Sequence, residues 1–161
     1  MIFVVLGTQK FQLNRLLIEI DRLIENGMLT EPVFAQIGYS TYMPTNYQFV
    51  DFCSQNEFEN CVRKADLIII HAGIGTIVEG LKNKKPIVVF PRLKKFKEHV
   101  DNHQLEIAEA FAQSNFVISC ENQEDLLNII VKAKTHIFCE YVSQKNQIVD
   151  CIDDFLKTIY E

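Results

Sequence analysis

The sequence lacks the surplus of positive charge that is typical of nucleic-acid-binding proteins and the long apolar runs that are typical of membrane-spanning ones. Its 161 residues include 16 Lys or Arg and 21 Asp or Glu, which gives a formal net charge of −5 at pH 7. A general nucleic-acid binder would be broadly basic, so no nucleic-acid partner is expected. No apolar run approaches the roughly 18 residues of a membrane-spanning helix, and the apolar run that opens the chain is too short for a signal peptide. We therefore expect the chain by itself to be soluble.

The sequence also lacks the spacings that bind metals or form a disulfide framework. It has five cysteines, an odd number, and no two of them stand at C-x-x-C spacing. Reduced, mostly packed thiols in a cytosolic protein are therefore expected. The four histidines form no H-E-x-x-H motif, and the adjacent aspartates Asp153 and Asp154 are far from the candidate loops considered below. We expect neither a metal nor a cofactor.

Apolar runs and helical periods alternate along the chain. A continuous apolar, β-branched run indicates a strand buried on both faces, and apolar residues spaced by three or four indicate a helix with one apolar face. This alternation predicts a mostly parallel, Rossmann-like α/β sheet flanked by helices, in a single domain over residues 1–161. The predicted strands cover 2–7, 32–38, 47–53, 66–71, 86–90 and 115–119, and the predicted helices cover 13–24, 57–65, 74–83, 101–113, 123–133 and about 142–160.

Loops at the carboxyl ends of the strands are where such sheets bind ligands, so three loops become candidates. The first follows the opening strand, where Gly7 allows a close backbone approach and Thr8 adds a hydroxyl group. A glycine at a strand-to-helix turn can also serve structure alone. The G-x-G-x-x-G pattern of a dinucleotide site is absent, which argues against a nicotinamide-dependent oxidoreductase.

The second candidate loop is H-A-G-I-G-T, after the fourth predicted strand. Gly73 and Gly75 permit tight turning with exposed backbone N–H groups, and Thr76 stands where a helix begins. Free N–H groups and the helix dipole form an anion site whose usual occupant is phosphate, while the absence of G-K-[ST] argues against ATP or GTP hydrolysis. Glu79 follows Thr76 by three residues, so it either completes a capping box with Thr76 or accepts hydrogen bonds from a ribose diol.

The third candidate loop is D-N-H-Q at residues 101–104, a dense polar cluster that opens a helix. One interpretation is a solvated helix start in which Asp101 or Asn102 is the N-cap. The other is a set of donors and acceptors, among them His103 and Gln104, that reads sugar hydroxyl groups.

These motifs together carry a family resemblance. V-V-L-G-T-Q, H-A-G-x-G-T, K-P-x-x-x-x-P and D-N-H-Q occur in this order between residue 1 and about residue 133. In this order they resemble the C-terminal, donor-binding half of family 28 glycosyltransferases, which have the GT-B fold. The short chain is similar to the stand-alone donor-binding subunit of two-part enzymes, both the eukaryotic N-acetylglucosaminyltransferase and its counterparts in bacterial capsule and exopolysaccharide clusters.

The resemblance implies an activity and a set of site residues. The activity is metal-independent, inverting transfer of a sugar from a UDP-sugar to a lipid-linked acceptor, in capsule or exopolysaccharide synthesis. The alternative is a nucleotide-sugar-binding or enhancer module without catalysis. The implied substrate-binding residues are Gly7 and Thr8 in the cleft, Phe52 and Cys53 with the backbone around them facing the uracil, His71 in a structural or phosphate-loop role, Gly73, Gly75 and Thr76 at the diphosphate, Glu79 at the ribose, and Asn102, His103 and Gln104 near the sugar.

The resemblance also implies a partner. In such enzymes the general base usually lies in the acceptor-binding half, so no base is assigned here, and the missing half is expected to be a separate, membrane-anchored subunit. The chain would then be cytoplasmic and peripheral at the inner face of the membrane. The last predicted helix could dock on this partner, pack on the chain's own sheet, or drive homodimerisation of the isolated chain. Its apolar stripe comprises Ile148, Val149, Ile152, Phe155, Leu156 and Ile159.

Overall fold

The computed structural model describes residues 1–142 and contains a six-stranded parallel sheet. The strand order is β3-β2-β1-β4-β5-β6, so the chain moves outward from β1 on one side and then returns to pair β4 with the other side of β1. This reversal confirms the predicted Rossmann-like fold. The strands are β1 (Ile2–Val5), β2 (Val33–Gln36), β3 (Gln48–Val50), β4 (Leu67–Ile70), β5 (Ile87–Val89) and β6 (Ile118–Ser119).

Five α-helices flank the sheet within residues 1–142, and two short 3-10 turns, which the sequence did not predict, accompany them. None of these helices has the length and hydrophobicity that crossing a membrane demands. The predicted helix over about 142–160, with its apolar stripe, lies outside the described residues. The helices are α1 (Asn14–Glu25), α2 (Gln55–Lys64), α3 (Ile74–Lys82), α4 (His103–Gln113) and α5 (Leu126–Thr135), and the 3-10 turns are Lys94–Phe96 and Gln123–Asp125.

The core consists of two apolar layers, one on each face of the sheet. Val4 of β1 packs with α1 and α5 on one face, while the next residue, Val5, packs with α2, α3 and α4 on the other. Because successive side chains of a strand point to opposite faces, this split explains why the central strands are apolar without interruption.

The strands are shorter than the apolar runs that predicted them. β1 ends at Val5 and β5 at Val89, yet Leu6 and Phe90, the next residue in each case, are fully buried. Each still donates a backbone hydrogen bond to the neighbouring strand, Leu6 to the Gln36 carbonyl at 3.0 Å and Phe90 to the Ile70 carbonyl at 2.7 Å, but neither has a partner in the strand register. Hydrophobicity alone therefore overestimates the length of the strands. The loops that leave the sheet here begin inside the core and emerge at its carboxyl edge.

Candidate functional site

A cleft of about 400 Å³ opens at the carboxyl ends of β1 and β4, where the strand order reverses. We call it the β1/β4 cleft. This is where open α/β sheets bind their ligands. Seven of the predicted site residues line it, namely Gly7, Thr8, Cys53, His71, Gly73, Gly75 and Thr76. The other lining residues, which were not among the predicted site residues, are Val5, Gln9, Gln36, Gln55 and Phe58.

Helix α3 begins in this cleft without a side-chain cap. Gly73 is the N-cap residue, no side chain among the described residues caps the helix, and the first helical bond runs from the Ile77 N–H to the Gly73 carbonyl at 3.0 Å. Thr76 is therefore the third helical residue, and the capping box between Thr76 and Glu79 is wrong. The backbone N–H groups of the first turn remain available to a ligand, and the positive end of the helix dipole favours an anion there.

Gly75 lies in the first turn of α3 and is exposed in the β1/β4 cleft. Apart from its chain neighbours and the backbone of its own helix, no described protein atom would lie within 4 Å of a Cβ atom built at this position. Packing within the described residues therefore does not require a glycine here. Helix propensity does not favour one either, because glycine is a poor helix former. Its absent side chain leaves room for a ligand to approach the backbone.

His71 forms a wall of the cleft and explains two of its glycines. The imidazole is 5% exposed, and its Nδ1 lies 3.3 Å from the Val5 carbonyl oxygen. A Cβ atom at Gly7 would lie 2.4 Å from His71 Cε1, and one at Gly73 would lie 2.5 Å from Nε2. Burial, followed by the nearby positive charge of Arg92, lowers the pKa of His71 to about 4. The ring is thus neutral at physiological pH and fills the space between the two loops.

The depressed pKa of His71 predicts a loss of stability in acid. Below its ordinary pKa of about 6.5 the unfolded chain takes up a proton that the folded chain refuses, so the free energy of unfolding should fall by about 3 kcal/mol between pH 6.5 and pH 4. Above pH 6.5 this group should have no effect. Urea unfolding of the wild type and of His71→Asn over this range isolates the contribution from that of the carboxylates. Parallel pH profiles for the two proteins would contradict the assignment.

Glu79 lies outside the β1/β4 cleft. Its Oε1 accepts a hydrogen bond from Asn83 Nδ2 at 3.1 Å, one turn further along the chain at the end of α3. The carboxylate therefore links two residues in the second half of the helix. Its predicted contact with a ribose stays a prediction.

The D-N-H-Q cluster organises the loop between β5 and α4. Asp101 Oδ1 accepts from the backbone N–H of His103 at 3.0 Å, Asn102 Oδ1 from that of Lys94 at 3.0 Å, and Gln104 Oε1 from that of Arg92 at 3.0 Å. Asn102 occupies the N-cap position of α4 but makes no capping bond among the described residues, so of the two predicted caps only Asp101 binds the helix start. His103 is exposed, and none of the four residues lines the β1/β4 cleft. Sugar recognition by Asn102, His103 and Gln104 stays a prediction.

The two residues predicted to face the uracil are placed differently. The backbone N–H of Cys53 donates to the buried Gln36 Oε1 at 3.1 Å, which fixes Cys53 in the wall of the cleft. Burial raises the pKa of the Cys53 thiol to about 11, so it stays protonated. Phe52 is 45% exposed, packs edge-on against Tyr39 and does not line the cleft.

Two of the missed residues had a signal in the sequence. Gln36 is a polar residue at the end of an apolar run, where a strand approaches the ligand edge. Gln55 follows Ser54, which forms a capping box with Glu57: the Ser54 Oγ accepts from the Glu57 N–H at 3.3 Å, and the Ser54 N–H donates to the Glu57 carboxylate at 2.8 Å. This S-x-x-E spacing marks the start of α2 at the same edge of the sheet.

No group of three or more His, Cys, Asp or Glu side chains within residues 1–142 is arranged to hold a metal ion. The expected independence from metals stays a prediction. Asp153 and Asp154 lie outside the described residues.

Comparison with known proteins places this geometry in a family. The sequence model of the glycosyltransferase family 28 C-terminal domain matches residues 1–156. The chain belongs to this family. Within the family, the chain is 33% identical over 81 residues to the UDP-N-acetylglucosamine transferase subunit ALG13 of Candida albicans, a match that covers 50% of this chain and 26% of that protein. The chain spans only about half or less of the length of the curated relatives it matches.

Solved structures of glycosyltransferases share the fold of this family 28 domain. A solution structure of ALG13 matches with a TM-score of 0.58 and 19% identity, covering 94% of this chain and 93% of that one. MurG of Acinetobacter baumannii matches with a TM-score of 0.54 and 21% identity, covering 94% of this chain and 49% of that one. The chain therefore corresponds to one half of a GT-B fold, as predicted.

Proposed function

We propose that this chain is the donor-binding, catalytic subunit of a two-part inverting glycosyltransferase, and that it binds a UDP-sugar in the β1/β4 cleft. The observation that carries the proposal is the start of α3, uncapped by any described side chain, with Gly75 open to the cleft. Backbone N–H groups and a helix dipole directed at one point form a site for a diphosphate. Membership of the glycosyltransferase family supports a sugar nucleotide as the molecule that carries this diphosphate.

The same helix start supports a role in catalysis. The acceptor hydroxyl oxygen forms a bond to the anomeric carbon while the bond from that carbon to the β-phosphate oxygen breaks, and the electron pair leaves with UDP. The N–H groups of α3 stabilise the negative charge that develops on the departing diphosphate. The hydroxyl proton passes to a base. His71 is buried and its pKa is about 4, so we place the base in the acceptor-binding partner.

Competitive binding of sugar nucleotides tests the proposal. We expect calorimetry to show binding of UDP and, more tightly, of one UDP-sugar among UDP-N-acetylglucosamine, UDP-glucose and UDP-galactose. The names of the relatives favour UDP-N-acetylglucosamine. Thr76→Val should weaken UDP binding by about 1–2 kcal/mol if one charge-assisted hydrogen bond is lost. Thr30→Val, on the loop before β2 and outside the cleft, is the matched control. Equal UDP affinity in the wild type and in Thr76→Val would contradict the assignment.

Glu79 offers a separate test of ribose recognition. Because Glu79 caps nothing at the start of α3, we expect Glu79→Ala to change the free energy of unfolding by only about 0.5 kcal/mol, the size of a surface pair. If the carboxylate binds the ribose diol, the same variant should bind UDP more weakly. Asn83→Ala removes the partner of Glu79 without removing the carboxylate, and should keep its affinity. Normal UDP binding in Glu79→Ala would remove this residue from the site.

We further propose that the partner is a membrane-anchored acceptor-binding subunit. Half of a GT-B fold supplies one wall of the cleft between donor and acceptor, and the relatives are named as subunits. The chain would then be cytoplasmic, peripheral at the inner face of the membrane through this partner, and able to homodimerise when isolated. Expression alone should leave it in the soluble fraction, and co-expression with the partner should move it to membranes. Equal distribution in both cases would contradict the proposal.

The acceptor is proposed as lipid-linked, and the relatives give no support to the predicted exopolysaccharide or capsule setting. One observation favours the alternative of a non-catalytic nucleotide-sugar-binding module. The presence of Asn102 and Gln104 had suggested sugar recognition. Their side-chain oxygens instead accept hydrogen bonds from the backbone N–H groups of Lys94 and Arg92. Sugar transfer by the reconstituted pair, lost in Thr76→Val, would exclude the alternative.

A further inference from the structure

A buried arginine lies behind the first loop of the cleft. Arg92 is fully buried, and its Nη2 donates to the carbonyl oxygens of Leu6 at 2.6 Å and Phe11 at 3.2 Å. These carbonyls flank the segment that contains Gly7, Thr8 and Gln9, three residues that line the β1/β4 cleft. One guanidinium group thus holds both ends of a loop that is separated from it by more than 80 residues of chain.

Within residues 1–142, no carboxylate forms an ion pair with Arg92. The buried carboxylate of Glu98 forms a two-bond pair with Arg15, with N–O distances of 3.1 and 3.0 Å, and Arg15 also stacks on Phe90 at 4.3 Å. This set holds two arginines and one glutamate, so one positive charge remains. Burial lowers the pKa of Arg92 to about 10, which still leaves it cationic at neutral pH.

Burial of the Arg92 guanidinium lowers the free energy of unfolding. Nε and Nη1 of Arg92 have no hydrogen-bond partner among residues 1–142. A buried cation with unpaired donors opposes folding, and an apolar side chain of similar volume would avoid that penalty. The backbone of Arg92 is itself held in place, because its N–H donates to the buried Gln104 Oε1.

We propose that Arg92 is a positioning residue of the β1/β4 cleft, whose guanidinium holds the loop of Gly7, Thr8 and Gln9 in the conformation that receives the donor diphosphate. The inference rests on the proposed function for the identity of the ligand. It gives Gln104 a defined task, which is to orient Arg92. It also places a positive charge near His71, whose pKa that charge lowers further.

Arg92→Lys tests the two hydrogen bonds to the Leu6 and Phe11 carbonyls separately from the positive charge. Lysine keeps the positive charge but lacks the planar fork of donors, so it cannot hold both carbonyls in the same way. We expect UDP affinity to fall at least about fivefold in the folded variant, and the ¹⁵N order parameters of Gly7–Lys10 to fall with it. The matched control is Arg22→Lys, which removes a similar two-bond contact, with Glu19, away from the cleft. It should change neither quantity.

Arg92→Met then removes the charge as well, and serves if the lysine variant does not fold. We expect the pKa of His71, followed by NMR, to rise above its wild-type value in Arg92→Met and to stay unchanged in Arg92→Lys. A wild type that fails to bind UDP would refute the proposed function, while the loop order parameters would still report on Arg92. A wild type that binds UDP, together with a folded Arg92→Lys variant that binds it equally well, would overturn the role of Arg92.

Discussion

Replacing Gly73 with alanine will destabilise the protein by about 1–3 kcal/mol, the usual cost of an overpacked core position. The backbone of Gly73 has φ −84°, which any residue can adopt, so conformation is not the reason for a glycine. The reason is the imidazole of His71, because a new Cβ atom would lie 2.5 Å from its Nε2. The same ring blocks Gly7, where φ is +71° and alanine would suffer backbone strain in addition. We expect a loss of about 2–4 kcal/mol for Gly7→Ala.

A second substitution distinguishes the two causes. His71→Ala should rescue Gly73→Ala, with an interaction free energy of at least about 1 kcal/mol in a double-mutant cycle measured by urea unfolding at pH 7. It should rescue Gly7→Ala only in part, because the positive φ remains. If Gly73→Ala is equally damaging with and without His71, the imidazole is not the obstacle and the geometry of the cleft wall is wrong.

Continuous apolar runs were sufficient to predict the parallel sheet, because each central strand is buried on both faces. They could not locate the strand ends, since Leu6 and Phe90 are buried in the core and donate the last hydrogen bonds to the neighbouring strands, while the residues paired in register end at Val5 and Val89. Core packing and strand pairing end at different residues, and only the first is visible in hydrophobicity.

The two capping-box spacings show why local motifs were an incomplete guide to the site. Thr76 and Glu79 have the spacing but do not form the box, while Ser54 and Glu57 have the same spacing and do. The difference is where each helix begins. Helix α3 begins at Ile74, with Gly73 as its N-cap residue, so Thr76 is the third residue of the helix. A capping box with Glu79 would require Thr76 to be the N-cap residue instead.

Long-range contacts were the part that no local pattern could predict. The motif D-N-H-Q correctly marked the start of α4, but the partners of its Asn102 and Gln104 side chains are the backbone N–H groups of Lys94 and Arg92. Arg92 in turn binds Leu6, and Arg15 binds Glu98, across more than 80 residues. Such pairs depend on which loops the strand order brings together at the switch point, and this order follows from the whole fold.

Replacing Gly75 with alanine should have opposite effects on stability and on binding. The new methyl group would have no described protein atom within 4 Å beyond its chain neighbours and the backbone of its own helix, and alanine is a better helix former than glycine. We therefore expect the free energy of unfolding to rise by up to about 1 kcal/mol. The methyl group would occupy the space through which we propose that the diphosphate approaches the backbone of α3. UDP affinity should fall at least about tenfold, or 1.4 kcal/mol.

Gly80 provides the matched control within the same helix. A Cβ atom there would lie 2.8 Å from Ile87 Cδ1, inside the core and away from the β1/β4 cleft. The gain in helix propensity is then opposed by displacement of the Ile87 methyl group, so Gly80→Ala should stabilise the protein less than Gly75→Ala and bind UDP like the wild type. Thermal unfolding measures the stability of the two variants, and calorimetry measures their affinity for UDP. A Gly75→Ala protein that is more stable and binds UDP normally would show that no ligand approaches the start of α3, and the proposed diphosphate site would have to be abandoned.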